Sequence, residues 1–169
     1  MCSFVLFVVC FGILFFYTSF GKGKGIASYS TKISKNVESR SERTVQVMKS
    51  SFDKIDIINV YRSAEGSKAT LVESLRHFIK EGRTTVIAGD FNICGKTEQQ
   101  DTVLQFITQN GFTQLSDEPT QIQGRQIDNM FINKPSLVRG IERYSPYYSD
   151  HDALLLTLKL RVCIFVINL

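Results

Sequence analysis

Apolar and polar positions divide the chain into one long apolar run, a polar stretch, and then short segments whose period changes between two and 3.6. Residues Phe4 to Tyr17 are all apolar or Gly. With Ser3, Thr18 and Ser19 the run approaches the roughly 20 residues that cross a bilayer as a helix. Residues 1–20 therefore read as a candidate transmembrane segment, with membrane contact through 4–20. Met1-Cys2-Ser3 carries no side-chain charge and no small-residue cleavage site follows, which argues against a signal peptide. Lys22 and Lys24 would place the rest of an anchored chain on the cytoplasmic side. Two other readings stay open. The run is rich in Phe and Val and can pack as a strand, or it is spurious sequence at the start of a truncated reading frame. Without a genuine anchor the chain reads as intracellular and soluble.

Residues 21–25 alternate Gly and Lys and read as a hinge. Beyond them, 26–30 reads as a strand, 44–49 alternates with period two, and 54–61 is an apolar run containing Asp56 and Asn59. Ser67 can cap a helix whose Leu71, Leu75, Phe78 and Ile79 share one face, with Gly82 ending it. A β-rich run, 84–88, leads into Gly89-Asp90. Thr97 and Gln100 form a capping box for a second helix with Val103, Leu104 and Ile107 on its apolar side. Asn110-Gly111 stops it. Strands follow at 129–132, 137–144 and 153–160. The apolar tail, 161–169, is too short to span a bilayer and reads as a last strand or as spurious sequence. Strands with interspersed helices indicate an α/β (α+β) fold, or a layered α/β/β/α sandwich.

Composition adds limits. At 169 residues, 43% hydrophobic and 21% charged, the chain suits one globular domain, here 26–160. The net charge of +4 is uneven. Between Gly21 and Lys54, eight Lys or Arg face three acids. Such a segment can steer a polyanion, but the lysines have no aromatic interleaving, so a solvated loop is the plainer reading. Cys2, Cys10, Cys94 and Cys163 fit neither a zinc site nor a dense disulfide framework.

The chemistry concentrates in four places. In Gly89-Asp90-Phe91-Asn92, period two projects Asp90 and Asn92 to one side at a strand end. A carboxylate there can orient or deprotonate water, and an amide can hold a phosphoryl oxygen. Gly, Asp and Asn are also common in turns. Ser149-Asp150-His151 precedes a strand; Asp150 offers the hard oxygen that Mg²⁺ prefers, and His151 can donate to developing negative charge. Asp128 enters an apolar strand, where an acid needs a partner, and His151 is the candidate. Tyr61 ends a strand and could reach a phosphate through its hydroxyl, or simply pack. His77 falls within the first helix and reads as structural.

These elements, in this order, resemble the endonuclease/exonuclease/phosphatase superfamily over roughly Gly25 to Leu160. Ile26-Ala27-Ser28-Tyr29-Ser30 is similar to a family strand that often reads G-[IV]-A-x-Y. The resemblance implies a four-layered α/β/β/α sandwich of the deoxyribonuclease I-like type, present here in part as the C-terminal portion. It implies that Asp90 orients or deprotonates the attacking water and Asn92 positions the phosphate. Asp128 would pair with His151, His151 would contact the scissile phosphate, and Tyr61 would be the phosphate-contacting tyrosine. Asp150 would lie at the metal side, with Mg²⁺ or Mn²⁺ as cofactor. The family pattern also has an early Asn and a metal-binding Glu upstream of the G-[IV]-A-x-Y strand; only the apolar run lies there, and it contains neither. Another segment or partner chain completes the fold, or the chain is a fragment, or the apolar run substitutes as strand.

The leading expectation is thus a Mg-dependent phosphodiester hydrolase, endonuclease-like and nucleic-acid-directed, most similar to the retroelement or helicase-associated endonuclease branch. The alternatives are a catalytically degenerate binding module, tethered to a membrane if the anchor is genuine, and an inositol or lipid phosphatase of the same fold.

Overall fold

Strict alternation along four middle strands decides how the layers stack. The computed structural model describes residues 3–8, 14–19, 24–30, 34–94, 100–116, 118–145, 147, 149–159 and 162–168; in 3–8, 14–19, 24–30 and 162–168 it describes the backbone and the buried Ile26. In chain order the elements are β1 (Ser3–Val8), β2 (Leu14–Ser19), β3 (Lys24–Ser30), β4 (Asn36–Ser41), β5 (Val45–Ser51), β6 (Ile55–Arg62), α1 (Lys68–Phe78), β7 (Thr84–Asp90), α2 (Thr102–Gln109), β8 (Thr113–Gln114), β9 (Asp128–Ile132), β10 (Val138–Tyr144), β11 (Ala153–Leu158) and β12 (Val162–Asn168). They form two six-stranded sheets, ordered β10-β11-β12-β1-β3-β2 and β4-β5-β6-β7-β9-β8.

In the second sheet, Val45, Val47, Ile58, Val60, Ile87 and Phe131 face α1 and α2, packing on Leu71, Leu75, Phe78, Val103 and Ile107. The alternate positions Met48, Ile57, Val86, Ala88, Met130 and Ile132 face the first sheet and meet Ile26, Leu154, Leu156 and Leu158. Burial on both faces is why β6 and β7 read as near-continuous apolar runs; β5, whose period two suggests one buried face, is buried on both. Among the described residues both α-helices cover the same sheet. The sandwich is therefore the expected mixed α/β type, and the described residues form three of its four layers.

The apolar run does not form the spanning helix entertained for it. Its described residues lie in β1 and β2; β1 pairs antiparallel with β12 and parallel with β3, and β2 pairs with β3. Phe, Val and Ile favour this outcome, because β-branched and aromatic side chains suit a pleated surface. Among the described residues no helix is long and apolar enough to cross a membrane. The tail forms β12, pairing with β11 and β1. Lys24 and Gly25, assigned to the hinge, belong to β3.

Three boundaries also differ. Helix α1 is capped by Ser67 as expected but ends at Phe78, before Gly82. The start of α2 is set by Asp101, whose side chain accepts from Val103 N; the Thr97 capping box lies outside the described residues. Strand β4 went unread because Asn-Val-Glu-Ser-Arg-Ser holds one apolar residue, as an exposed edge strand can.

Candidate active site

The site grows from the point where β7 stops. Gly89 has φ 142, and a Cβ there would lie 1.9 Å from the Val60 carbonyl oxygen of the parallel neighbour β6. Only glycine lets the two strands run together to Asp90. The chain then turns. The Asn92 N–H donates to Asp90 Oδ1 at 2.8 Å, and Asn92 takes a left-handed φ of 50, which Asn tolerates. Arg62, buried at the end of β6, holds the turn: Nε donates to the Phe91 carbonyl at 2.7 Å and a terminal nitrogen to the Asn92 carbonyl at 2.9 Å. The expected period-two alignment of Asp90 with Asn92 fails here, because the strand ends at Asp90 and the backbone reverses hand.

Strand register builds the rest. Gln46 lies opposite Tyr61, Tyr61 opposite Asp90, and Asp90 opposite Asp128. By alternation this row of four faces the first sheet. His151, just before β11, completes it: His151 Nδ1 is 2.8 Å from Asp128 Oδ2, with both side chains buried. One ligand atom from each of Asp90, Asp128 and His151 lies within 4.8 Å of the others.

A turn at 120–125 braces this arrangement. Thr120 Oγ1 accepts from Asp128 N at 3.1 Å, Ile122 N donates to the Asp150 carbonyl at 2.9 Å, and Asp152 N donates to the Thr120 carbonyl at 2.7 Å. Gln121 and His151 form an antiparallel bridge. The Ser149 hydroxyl accepts from His151 N at 3.0 Å.

Crowding shapes the electrostatics. Burial first, and then the neighbouring Asp128 carboxylate, push Asp90 up to about 7; the Asn92 N–H, His151 and Arg62 pull the other way. Burial raises Asp128 against the hydrogen bond and charge of His151. Burial alone would lower His151, but the hydrogen bond and charge of Asp128, with Asp90 and Asp150, carry it above its ordinary value. Tyr61 is raised by burial, then by Asp90 and Glu65. Two carboxylates pressed together, one with an oxygen lacking a hydrogen-bond partner (Asp128 Oδ1), form a donor set that a hard divalent cation fits.

The comparisons agree with this architecture. No protein-family model and no curated protein matches the chain. Solved structures do. The endonuclease domain of TRAS1, a telomere-specific non-LTR retrotransposon, is 14% identical with TM-score 0.62, over 98% of this chain and 97% of that one. An AP endonuclease from Archaeoglobus fulgidus is 14% identical with TM-score 0.63, over 92% of this chain and 79% of that one. An endonuclease/exonuclease/phosphatase family protein from Leptotrichia buccalis is 14% identical with TM-score 0.60, over 90% and 71%. The chain shares its fold with these solved endonucleases and with that endonuclease/exonuclease/phosphatase family protein.

Within this nuclease- and phosphoesterase-like sandwich, the residues singled out from sequence fall as follows. Asp90, Asp128 and His151 come together, and Tyr61 adjoins them in register. Asp150 lies outside the three-residue cluster yet close enough for its charge to raise His151. Asn92 reaches Asp90 through its backbone. His77 is on α1, its ring edge-on to Phe78, away from the cluster. Within the basic stretch, Lys35 pairs with Asp53, Arg40 with Glu73 and Lys49 with Glu38. Sequence reading missed Arg62 and Thr120. Arg62 stands beside Tyr61 in a buried strand, which was a usable signal; nothing local marks Thr120.

Proposed function

We propose that this chain is a divalent-cation-dependent phosphodiester hydrolase acting on nucleic acid. The observation that carries the reading is the buried Asp90–Asp128–His151 cluster, in which Asp128 holds the His151 ring by Nδ1 at 2.8 Å. Fixing Nδ1 in this way leaves Nε2 to face a substrate and keeps the imidazole in one orientation. In this reading Asp90, raised to about 7, orients a water and accepts its proton near neutral pH. His151 stabilises charge at the scissile phosphate, Tyr61 donates its hydroxyl to a phosphoryl oxygen, and Asn92 positions the phosphate. Asp90, Asp128 and Asp150 are the residues to hold Mg²⁺ or Mn²⁺. When bound, the cation would neutralise charge developing on the phosphate. Nucleic acid as substrate is favoured by the likeness to solved endonucleases and by the net charge of +4.

One observation favours a second reading. The cluster among the described residues contains two carboxylates and no third. A binding module that retains the cleft without turnover is consistent with that. The deciding experiment incubates the full chain with supercoiled plasmid and Mg²⁺ or Mn²⁺. Nicking that stops with chelator and with Asp90→Asn supports the hydrolase. Plasmid binding with nicking no greater than in Asp90→Asn sinks it in favour of the binding module.

A further inference from the structure

Two buried amides remain outside this mechanism. Gln46 is 1% exposed and Asn59 0%, and neither amide oxygen nor nitrogen of either has a hydrogen-bond partner within the described structure. Their placement is not random. Gln46 lies opposite Tyr61 on β5, and Asn59 lies two residues before Tyr61 on β6. All three side chains therefore share the face toward the first sheet. Elsewhere that face is mostly apolar, with Met48, Ile57, Val86, Met130 and Ile132. The amides gather at the end that carries the acidic row. They are diagonal neighbours across an antiparallel pair, within reach of one another's surroundings. Beside Asn59 in register stands Ala88, which offers its amide no hydrogen-bonding side chain. Burying an amide with no partner is costly, and a polar gap between such groups is where ordered water binds.

We propose that Gln46 and Asn59 are positioning residues whose amides hold ordered water against the buried flank of Tyr61, and so fix that phenol beside Asp90. The inference deepens the hydrolase reading and rests on Tyr61 belonging to that site. Water-mediated bonds of this kind are nearly as favourable as direct ones.

The first test is a high-resolution crystal structure of the full chain. A water bonded to both amides is expected; amides bonded directly to protein groups, or a dry gap, overturn the proposal. The second test uses Gln46→Met and Asn59→Leu, which keep shape and remove polarity. Tyr61 is followed by ultraviolet titration as the difference between each protein and its Tyr61→Phe counterpart. Its midpoint should move by about half a pH unit or more, the scale of one lost hydrogen bond. In the nicking assay kcat should fall about fivefold with KM unchanged. Ser50→Ala is the control: Ser50 is 2% exposed, its hydroxyl is also unpartnered, and it lies on the same face four residues along β5. It should move neither reading. An unmoved Tyr61 midpoint in both variants overturns the proposal. If the wild-type chain does not nick DNA, the hydrolase reading fails, while the water and the titration still decide this one.

Discussion

The central sheet buries acids at both ends, and the ends treat them differently. At the start of β6, Asp56 is 1% exposed and forms an ion pair with Arg83 Nε at 2.9 Å, while Arg83 also donates to the Phe52 carbonyl at 2.5 Å. At the finish of β7, Asp90 and Asp128 are 3% and 1% exposed and crowd each other, with one imidazole between them. The first arrangement neutralises a charge and ties down a loop. The second concentrates charge beyond what its own cation balances, and the protein holds protons there more tightly as a result. Burial alone does not mark an active site. Burial with like charges facing each other marks a candidate one.

The largest effect that can break this contrast is on turnover. Asp90→Asn should lower nicking about 10³-fold, the scale for losing a positioned general base. It should not lower thermal stability near pH 7.5, since it removes one of two repelling carboxylates. Arg83→Met should do the reverse. It leaves Asp56 buried without its counter-charge and should cost about 3 kcal/mol of stability in denaturant unfolding, with activity per folded molecule retained. Adding Asp56→Leu to Arg83→Met should recover most of that loss. If Asp90→Asn destabilises as much as Arg83→Met, both ends are structural and the contrast collapses.

The end proposed as the site was legible in the sequence as a candidate, and the Asp56–Arg83 end was not. Gly89-Asp90, Asp128 before an apolar strand, and Asp150-His151 each place a polar residue where a strand meets a loop, and the strands themselves announce their ends by period. The Asp56–Arg83 pair joins residues far apart in sequence with no local pattern between them. The same limit hid Thr120, whose hydroxyl matters only because β9 begins beside it. Arg62 was passed over for a different reason. Its place beside Tyr61 in an apolar strand was a usable signal, but the acceptors that let a guanidinium be buried there come from the distant turn at Phe91-Asn92. The apolar run shows the weakness of apolarity as a signal. Without period or charge, apolar strands and a membrane span look alike.

A smaller effect separates the ends by pH. In the protein without added metal, Asp90 is raised from 3.8 to about 7. A carboxyl raised on folding binds more protons folded than unfolded, so stability is full below the unfolded value and falls as pH rises toward the folded one. His151 is raised too and acts in the same direction, its contribution fading as pH rises through its folded value. The melting temperature without metal should therefore fall between about pH 4.5 and pH 7.5, and less steeply in Asp90→Asn. Mg²⁺ should flatten the wild-type curve while leaving Asp90→Asn nearly unchanged. Identical slopes in the two proteins would remove Asp90 from the account.

The smallest effect concerns a third buried acid, which sharpens the rule. The Asp101 side chain is 2% exposed, yet it belongs to neither pattern. It caps α2 by accepting from Val103 N at 2.8 Å and pairs with Lys68 from α1, whose side chain is 41% exposed. Its charge is met by a helix N-terminus and by a cation that can turn to water. Asp101→Ala should cost about 1 kcal/mol, the worth of a cap. Asp101→Asn keeps the cap, since Asn serves about as well as Asp, and loses only attraction to a half-exposed lysine. It should cost a few tenths of a kcal/mol, shrinking with salt. Neither change should alter the Mg²⁺ response of the melting temperature. If Asp101→Asn did alter it, the cation site would reach beyond the Asp90–Asp128 row to the α1–α2 side of the sheet, and facing carboxylates would no longer suffice to locate it.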